Sequence, residues 1–101
     1  MADASNGPSR FFSDLSRIRA SRDISLEALH EETKIPINLL QEFEATGLAD
    51  HPMFNRVYLR SLVRAYAEVI DLEEEAALDA LEEYLVGTYA GSLAAAYLGE
   101  G

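Results

Sequence analysis

The sequence predicts an all-α protein, a single domain built as a bundle of five helices, and three observations carry that expectation. Apolar residues recur at spacings of three and four along most of the chain. Leu and Ala are plentiful, while the six glycines and three prolines fall near the ends or at breaks in the periodicity. No stretch alternates apolar with polar residues as a half-buried strand would. With 101 residues, 49% of them hydrophobic, the chain is one domain long and can bury a modest core.

Residues 1–8 are small and polar and close on Gly7-Pro8, which reads as a disordered lead-in. From Ser9 the spacing of Phe12, Leu15, Ile18 and Arg19 predicts a first helix ending near Arg22. Ser25 is placed to cap a short second helix over Leu26–Thr33, with Leu26 and Leu29 inward. A third helix begins at Pro36, whose missing N–H is tolerated in a first turn. It buries Ile37, Leu40 and Phe43 and stops at Gly47. Pro52 opens a longer fourth helix to about Ile70, with Leu59, Val63, Tyr66 and Ile70 as its core line. Asp71 is expected to cap the fifth helix, with Glu74 completing a capping box and Leu78, Leu81, Tyr84 and Leu85 as the buried stripe. The domain is thus expected over residues 9–85. Residues 86–101 form an apolar, glycine-broken tail in which Tyr89, Leu93 and Tyr97 recur every four residues. Folding back on the core, pairing between subunits and fraying all remain open for it.

The net charge of −10 is unevenly spread. All eight basic residues lie between Arg10 and Arg64, where eight acids between residues 9 and 66 balance them. Residues 67–101 hold nine acids and no base, so a neutral module is followed by an acidic helix. The absence of cysteine excludes disulfides, thiolate metal sites and cysteine nucleophiles, and favours a reducing cytosol. The N-terminal stretch has no signal-like apolar run. The longest uncharged stretch, Tyr84 to Gly99, falls short of the roughly 20 residues a membrane span needs. A cytoplasmic protein is expected, free or as the cytoplasmic portion of a membrane-anchored one.

Catalytic chemistry finds little support. His30-Glu31 begins like a zincin motif, but the second histidine it needs falls on Lys34. His51 sits alone in a loop, and two lone histidines make a poor metal site. Glu73, Glu74 and Glu75 are consecutive, so they do not face one another; they suit the positive end of a helix dipole. No glycine-rich phosphate loop is present. A non-enzymatic protein without metal or cofactor is expected.

Two blocks carry a resemblance. Ser25-Leu26-Glu27-Ala28-Leu29 through Thr33-Lys34-Ile35-Pro36 to Leu40-Gln41-Glu42-Phe43-Glu44 resembles the helix-turn-helix of Cro/repressor-like proteins. Val57-Tyr58-Leu59-Arg60-Ser61-Leu62-Val63-Arg64-Ala65-Tyr66-Ala67 is similar to the fourth helix in the cytoplasmic domain of RodZ-type cell-shape proteins. The resemblance covers about Phe11 to Leu85. The resemblance implies a five-helix Cro/lambda-repressor-like helix-turn-helix bundle that faces the cytoplasm and binds the actin-like protein MreB. It implies docking through the fourth helix, at Leu62 and Tyr66. The chain departs from the pattern at His30, usually a small residue, at Ser61, usually glycine, and at Leu62, usually aromatic. The same superfamily implies a second reading, a DNA-binding transcriptional regulator.

Two surfaces compete as sites. For duplex DNA the groove-facing positions of the third helix are Pro36, Ile37, Asn38, Gln41 and Glu42, with Lys34 beside them. Asn38 and Gln41 can pair with adenine, but no arginine is present for guanine, so weak binding is expected. For a protein partner, Arg56, Arg60 and Arg64 form a row along one flank of the fourth helix. They can contact an acidic surface, or pair with the chain's own acids, as Arg64 with Glu68 one turn on. Tyr58, Leu62, Ala65 and Val69 form the opposite, apolar flank. That arc is wider than one packing face needs, so either the fifth helix covers it or it is a docking patch; coverage is the favoured outcome.

Overall fold

Six α-helices make up the computed structural model, which describes residues 10–46 and 56–99. They are α1 Arg10–Ser21, α2 Leu26–Thr33, α3 Ile37–Thr46, α4 Arg56–Ile70, α5 Glu74–Val86 and α6 Ser92–Leu98. Among the described residues there is no strand. The lead-in, the stop at Gly47, the loop with His51 and the start at Pro52 lie outside the described residues.

α1 is the spine. Phe11, Phe12, Leu15 and Ile18 are all fully buried, because this helix is gripped on three sides by α3, α5 and α6. Phe12 meets Phe43 of α3 edge-on at 5.1 Å and Tyr84 of α5 edge-on at 4.7 Å. Phe11 stacks on Tyr84 at 5.7 Å and meets Tyr89 edge-on at 5.4 Å. α4 contributes Val63, Tyr66 and Ile70 to the same core and lies against α5 and α2. Leu59, expected on that core line, is only half-buried.

Helix ends follow local chemistry. Ser25 caps α2, its hydroxyl accepting from the Ala28 amide at 3.0 Å. α1, α4 and α5 each end in a residue of left-handed conformation, Asp23 (φ 59°), Asp71 (φ 67°) and Gly87 (φ 84°). In each case the next amide reaches back to a carbonyl five residues earlier: Ile24 to Arg19, Leu72 to Ala67 and Thr88 to Glu83. This is the paired-bond Schellman arrangement, which satisfies carbonyls that a helix end leaves open. Asp71 therefore closes α4 and does not cap α5, contrary to the capping-box expectation. The N-cap of α5 is Glu73, without a side-chain cap bond. Arg22 bolts the two helix ends together, donating from Nη1 to the Ile70 and Asp71 carbonyls at 2.6 and 2.7 Å.

The tail folds back, and its last stretch is a sixth helix in place of the five expected. Leu93 and Ala94 are buried against α1 and α5. The Tyr89 hydroxyl donates to Asp14 Oδ2 at 2.6 Å, and the Tyr97 hydroxyl accepts from the Glu73 amide at 3.3 Å. The Arg22 guanidinium also lies over the Tyr97 ring, 5.5 Å from its centroid. Gly91 (φ 87°) makes the entry to α6 fit, since a Cβ there would stand 3.0 Å from the Arg10 guanidinium.

Candidate functional site: the α2–α3 face and the flanks of α4

Buried Leu29, Leu40 and Phe43 hold α2 and α3 onto the core, and the turn between them is fixed by side chains. The Thr33 hydroxyl donates to the Leu29 carbonyl at 2.7 Å and accepts from the Ile35 amide at 3.2 Å. Lys34 takes the left-handed conformation (φ 63°), its amide donating to the His30 carbonyl at 2.8 Å. His30 Nδ1 lies 2.8 Å from the Ile35 carbonyl. Thus His30, at a position where a small residue was expected, fastens the turn.

The inner edge of α3 is locked by ions. Glu44 accepts from Arg19 Nε at 2.6 Å and Nη2 at 3.0 Å, and from the Tyr66 hydroxyl at 2.5 Å. The hydrogen bond to Glu44 raises the Arg19 pKa above its ordinary value. Burial, and then the Glu44 charge, pushes the Tyr66 phenol well up. Three helices meet at this network, so the pose of α3 on the core is rigid.

On the outer side, Lys34, Pro36, Asn38, Gln41 and Glu42 are exposed and Ile37 is half-buried. Of the expected groove-facing residues, Asn38, Gln41 and Glu42 are thus open to solvent on α3. Exposed Glu27, Glu31 and Glu32 of α2 join Glu42, leaving Lys34 as the single cationic side chain exposed on the α2–α3 unit.

The apolar flank of α4 is a different matter. Leu62 is 2% exposed and Tyr66 fully buried, so neither is presented to a partner in this fold. Tyr66 turns toward α3, its ring 5.3 Å from Phe43 and its hydroxyl on Glu44, while α4 as a whole packs against α5 and α2. Tyr58, Ala65 and Val69 remain half-buried. On the basic flank, the Arg56 side chain lies outside the described residues. Arg60 pairs with Glu82 at 3.8 Å and Arg64 with Glu74 at 2.9 Å, both across to α5. The i, i+4 partner expected for Arg64, Glu68, is bypassed.

Cations elsewhere are held too. Asp14, fully buried, gathers Arg17 at 3.3 Å and Arg10 at 3.7 Å besides the Tyr89 hydroxyl. Burial and the Asp14 bond push the Tyr89 phenol well up. With Arg19 on Glu44 and Arg22 on two carbonyls, all six arginines whose side chains are described have an acceptor within the chain. Sequence reasoning missed Asp14. Arg10 and Arg17, four residues before and three after it, were the available signal.

Among the described residues, no group of three His, Cys, Asp or Glu side chains is placed to hold a metal ion. No helix among them is long and apolar enough to cross a membrane. Compared with known families, residues 14–77 match the one described as "Helix-turn-helix domain". That match runs from α1 into α5. No curated protein and no solved structure matches the chain.

Proposed function

Since the chain belongs to the helix-turn-helix domain family, we propose that it is a non-catalytic binding module that docks a protein and does not depend on duplex DNA. The observation that carries this reading is the state of its cations. Duplex affinity comes chiefly from basic side chains that replace counterions at several phosphates. Here the α2–α3 face offers Lys34 against exposed Glu27, Glu31, Glu32 and Glu42. Releasing Arg19 from Glu44 would strand a carboxylate that is 10% exposed, at a cost of the order of 3–5 kcal/mol.

The exposed pairs of α4 are cheaper to exchange. Arg60–Glu82 and Arg64–Glu74 have side chains about half exposed, and such pairs contribute at most about 1 kcal/mol each. An acidic protein surface can therefore take over Arg60 and Arg64, with Val57 (71% exposed) on the same helix as an apolar contact. The partner that the RodZ-like pattern of α4 favours is an actin-like, MreB-type protein in the cytoplasm. Docking then runs along the outer edge of α4, through Val57, Arg60 and Arg64, and not through Leu62 and Tyr66.

A second reading keeps one observation in its favour. Asn38 and Gln41 are exposed on one turn of α3, where they could pair with adenine in a major groove. The two readings separate in parallel fluorescence titrations at physiological salt, against random and genomic duplexes and against MreB. The expected result is duplex affinity no tighter than the roughly 10⁻⁴ to 10⁻⁶ M of non-specific contacts. MreB binding should weaken in the Arg60→Glu/Arg64→Glu variant. Tight, sequence-selective duplex binding that Gln41→Ala abolishes would overturn the proposal and make the chain a regulator.

A further inference from the structure

Where α2 ends against α4, the surface sinks into an open groove of about 610 Å³, lined by Glu32, Thr33, Ala65, Glu68 and Val69. Its size falls in the range of ligand clefts, roughly 300–1,000 Å³. Half-buried Ala65 and Val69 line it together with two exposed carboxylates, Glu32 of α2 and Glu68 of α4. A second depression shares Glu68 with it and is lined by Arg64, Asp71, Leu72 and Glu74 at the end of α4. Arg64 borders it, but its charge is answered by Glu74 at 2.9 Å. At the far end Arg22 meets Asp71, so the excess of carboxylate lies at the Glu32 and Glu68 end, where no cation is among the lining residues.

We propose that this groove is a docking site for a basic amphipathic segment of a protein partner. One apolar side chain of that segment sits on Ala65 and Val69, and flanking Lys or Arg residues meet Glu32 and Glu68. Charge complementarity selects that occupant. An acidic segment would meet like charge on both rims, and a purely apolar one would leave both carboxylates beside an uncompensated face. The chain's own arginines are not candidates, since those described are already held. This inference rests on the protein-docking reading and adds to it where a partner's cationic stretch is received, beside the α4 edge.

The test uses the full chain, isotope-labelled, titrated at about 0.15 M salt with a synthetic Leu/Lys amphipathic helix and with its Leu/Glu counterpart. The Lys peptide should shift the amides of Thr33, Ala65 and Val69 first, and the Glu peptide should not bind. Glu32→Gln/Glu68→Gln should raise the dissociation constant about tenfold. Glu75→Gln/Asp79→Gln, which removes the same charge from an exposed face of α5, should change it less than about twofold. Ala65→Leu should block the groove without altering charge. Equal weakening by both charge pairs, or shifts centred elsewhere, would mean general attraction to an acidic protein and would overturn the proposal. The peptide experiment judges the groove alone, whereas the MreB and duplex titrations judge the reading beneath it.

Discussion

Replacing Tyr89 by Phe isolates one atom whose worth the structure allows to be worked out. The ring stays, so its edge-on contact with Phe11 at 5.4 Å is kept. The hydroxyl goes, and with it the 2.6 Å bond to Asp14 Oδ2 and the 3.3 Å bond it accepts from the Leu93 amide. Asp14 has a side chain 1% exposed, and its other partners, Arg17 and Arg10, are 45% and 33% exposed and sit farther off at 3.3 and 3.7 Å. A hydrogen bond to a charged group contributes about 1.5–3 kcal/mol. The arginines keep the carboxylate partly compensated, so the expected loss is about 2 kcal/mol. For a domain of this size that lowers Tm by about 10 °C. Urea titration measures the loss, and the same substitution in an Asp14→Asn background should cost at least about 1 kcal/mol less. Because the bond joins the segment before α6 to α1, the α6 amides should also exchange faster than those of α1. A loss below about 0.5 kcal/mol, with α6 protected as in the parent, would refute the assignment of this bond as the latch of the tail.

Other substitutions probe the remaining features. Lys34→Gly should stabilise by about 0.5 kcal/mol, read as a higher urea midpoint, because Lys34 holds φ 63° at the end of α2 where glycine has no Cβ penalty. Leu62→Glu should cost more than about 3 kcal/mol or prevent folding, since it places a carboxylate where 2% of the side chain sees water, whereas Arg60→Glu should stay within about 1 kcal/mol. The Tyr66 and Tyr89 phenols are both raised in the folded state. The unfolded chain therefore loses these protons first, so stability is full below about pH 10 and falls above it, by up to about 1.4 kcal/mol per pH unit for each phenol. Denaturation followed from pH 9 to 11.5 should show that decline, and Tyr66→Phe should make it shallower.

How much of this was legible beforehand depends on whether local chemistry decided the outcome. α2 was readable to the residue, since a serine cap and a short amphipathic run leave little freedom. The start of α5 was not. Asp71 fits a capping box with Glu74 as sequence, yet the same residue tolerates a left-handed conformation, and the closing bonds of α4 claimed it. Tyr89, Leu93 and Tyr97 announced a face in the tail, but its partner is α1, more than seventy residues away along the chain. The flanking Arg10 and Arg17 hinted at a pairing for Asp14, but its burial was hidden for a related reason. A charged residue among Phe11, Phe12 and Leu15 reads as exposed until a distant hydroxyl is known to reach it.

The surface of the domain was legible as charge long before it was legible as geometry. All the bases lie before residue 65, and from residue 67 the chain holds nine acids and no base. The fold gives that asymmetry a use, because α5 lies along α4 and supplies Glu82 and Glu74 to Arg60 and Arg64. The acidic helix thus acts as an internal counter-ion for Arg60 and Arg64. On the docking reading proposed above, a partner with its own carboxylates would compete with α5 for Arg60 and Arg64. Exposed pairs are weak enough for such competition and weaken further with salt, which makes exchange reversible. At Glu44 and Asp14 it is the carboxylate that is withdrawn from water, 10% and 1% exposed, so releasing its arginines would strand it and these pairs do not exchange on those terms. One set of arginines therefore maintains the helix-turn-helix and the other remains available at its edge. What tells the two apart is the burial of the carboxylate that each arginine meets.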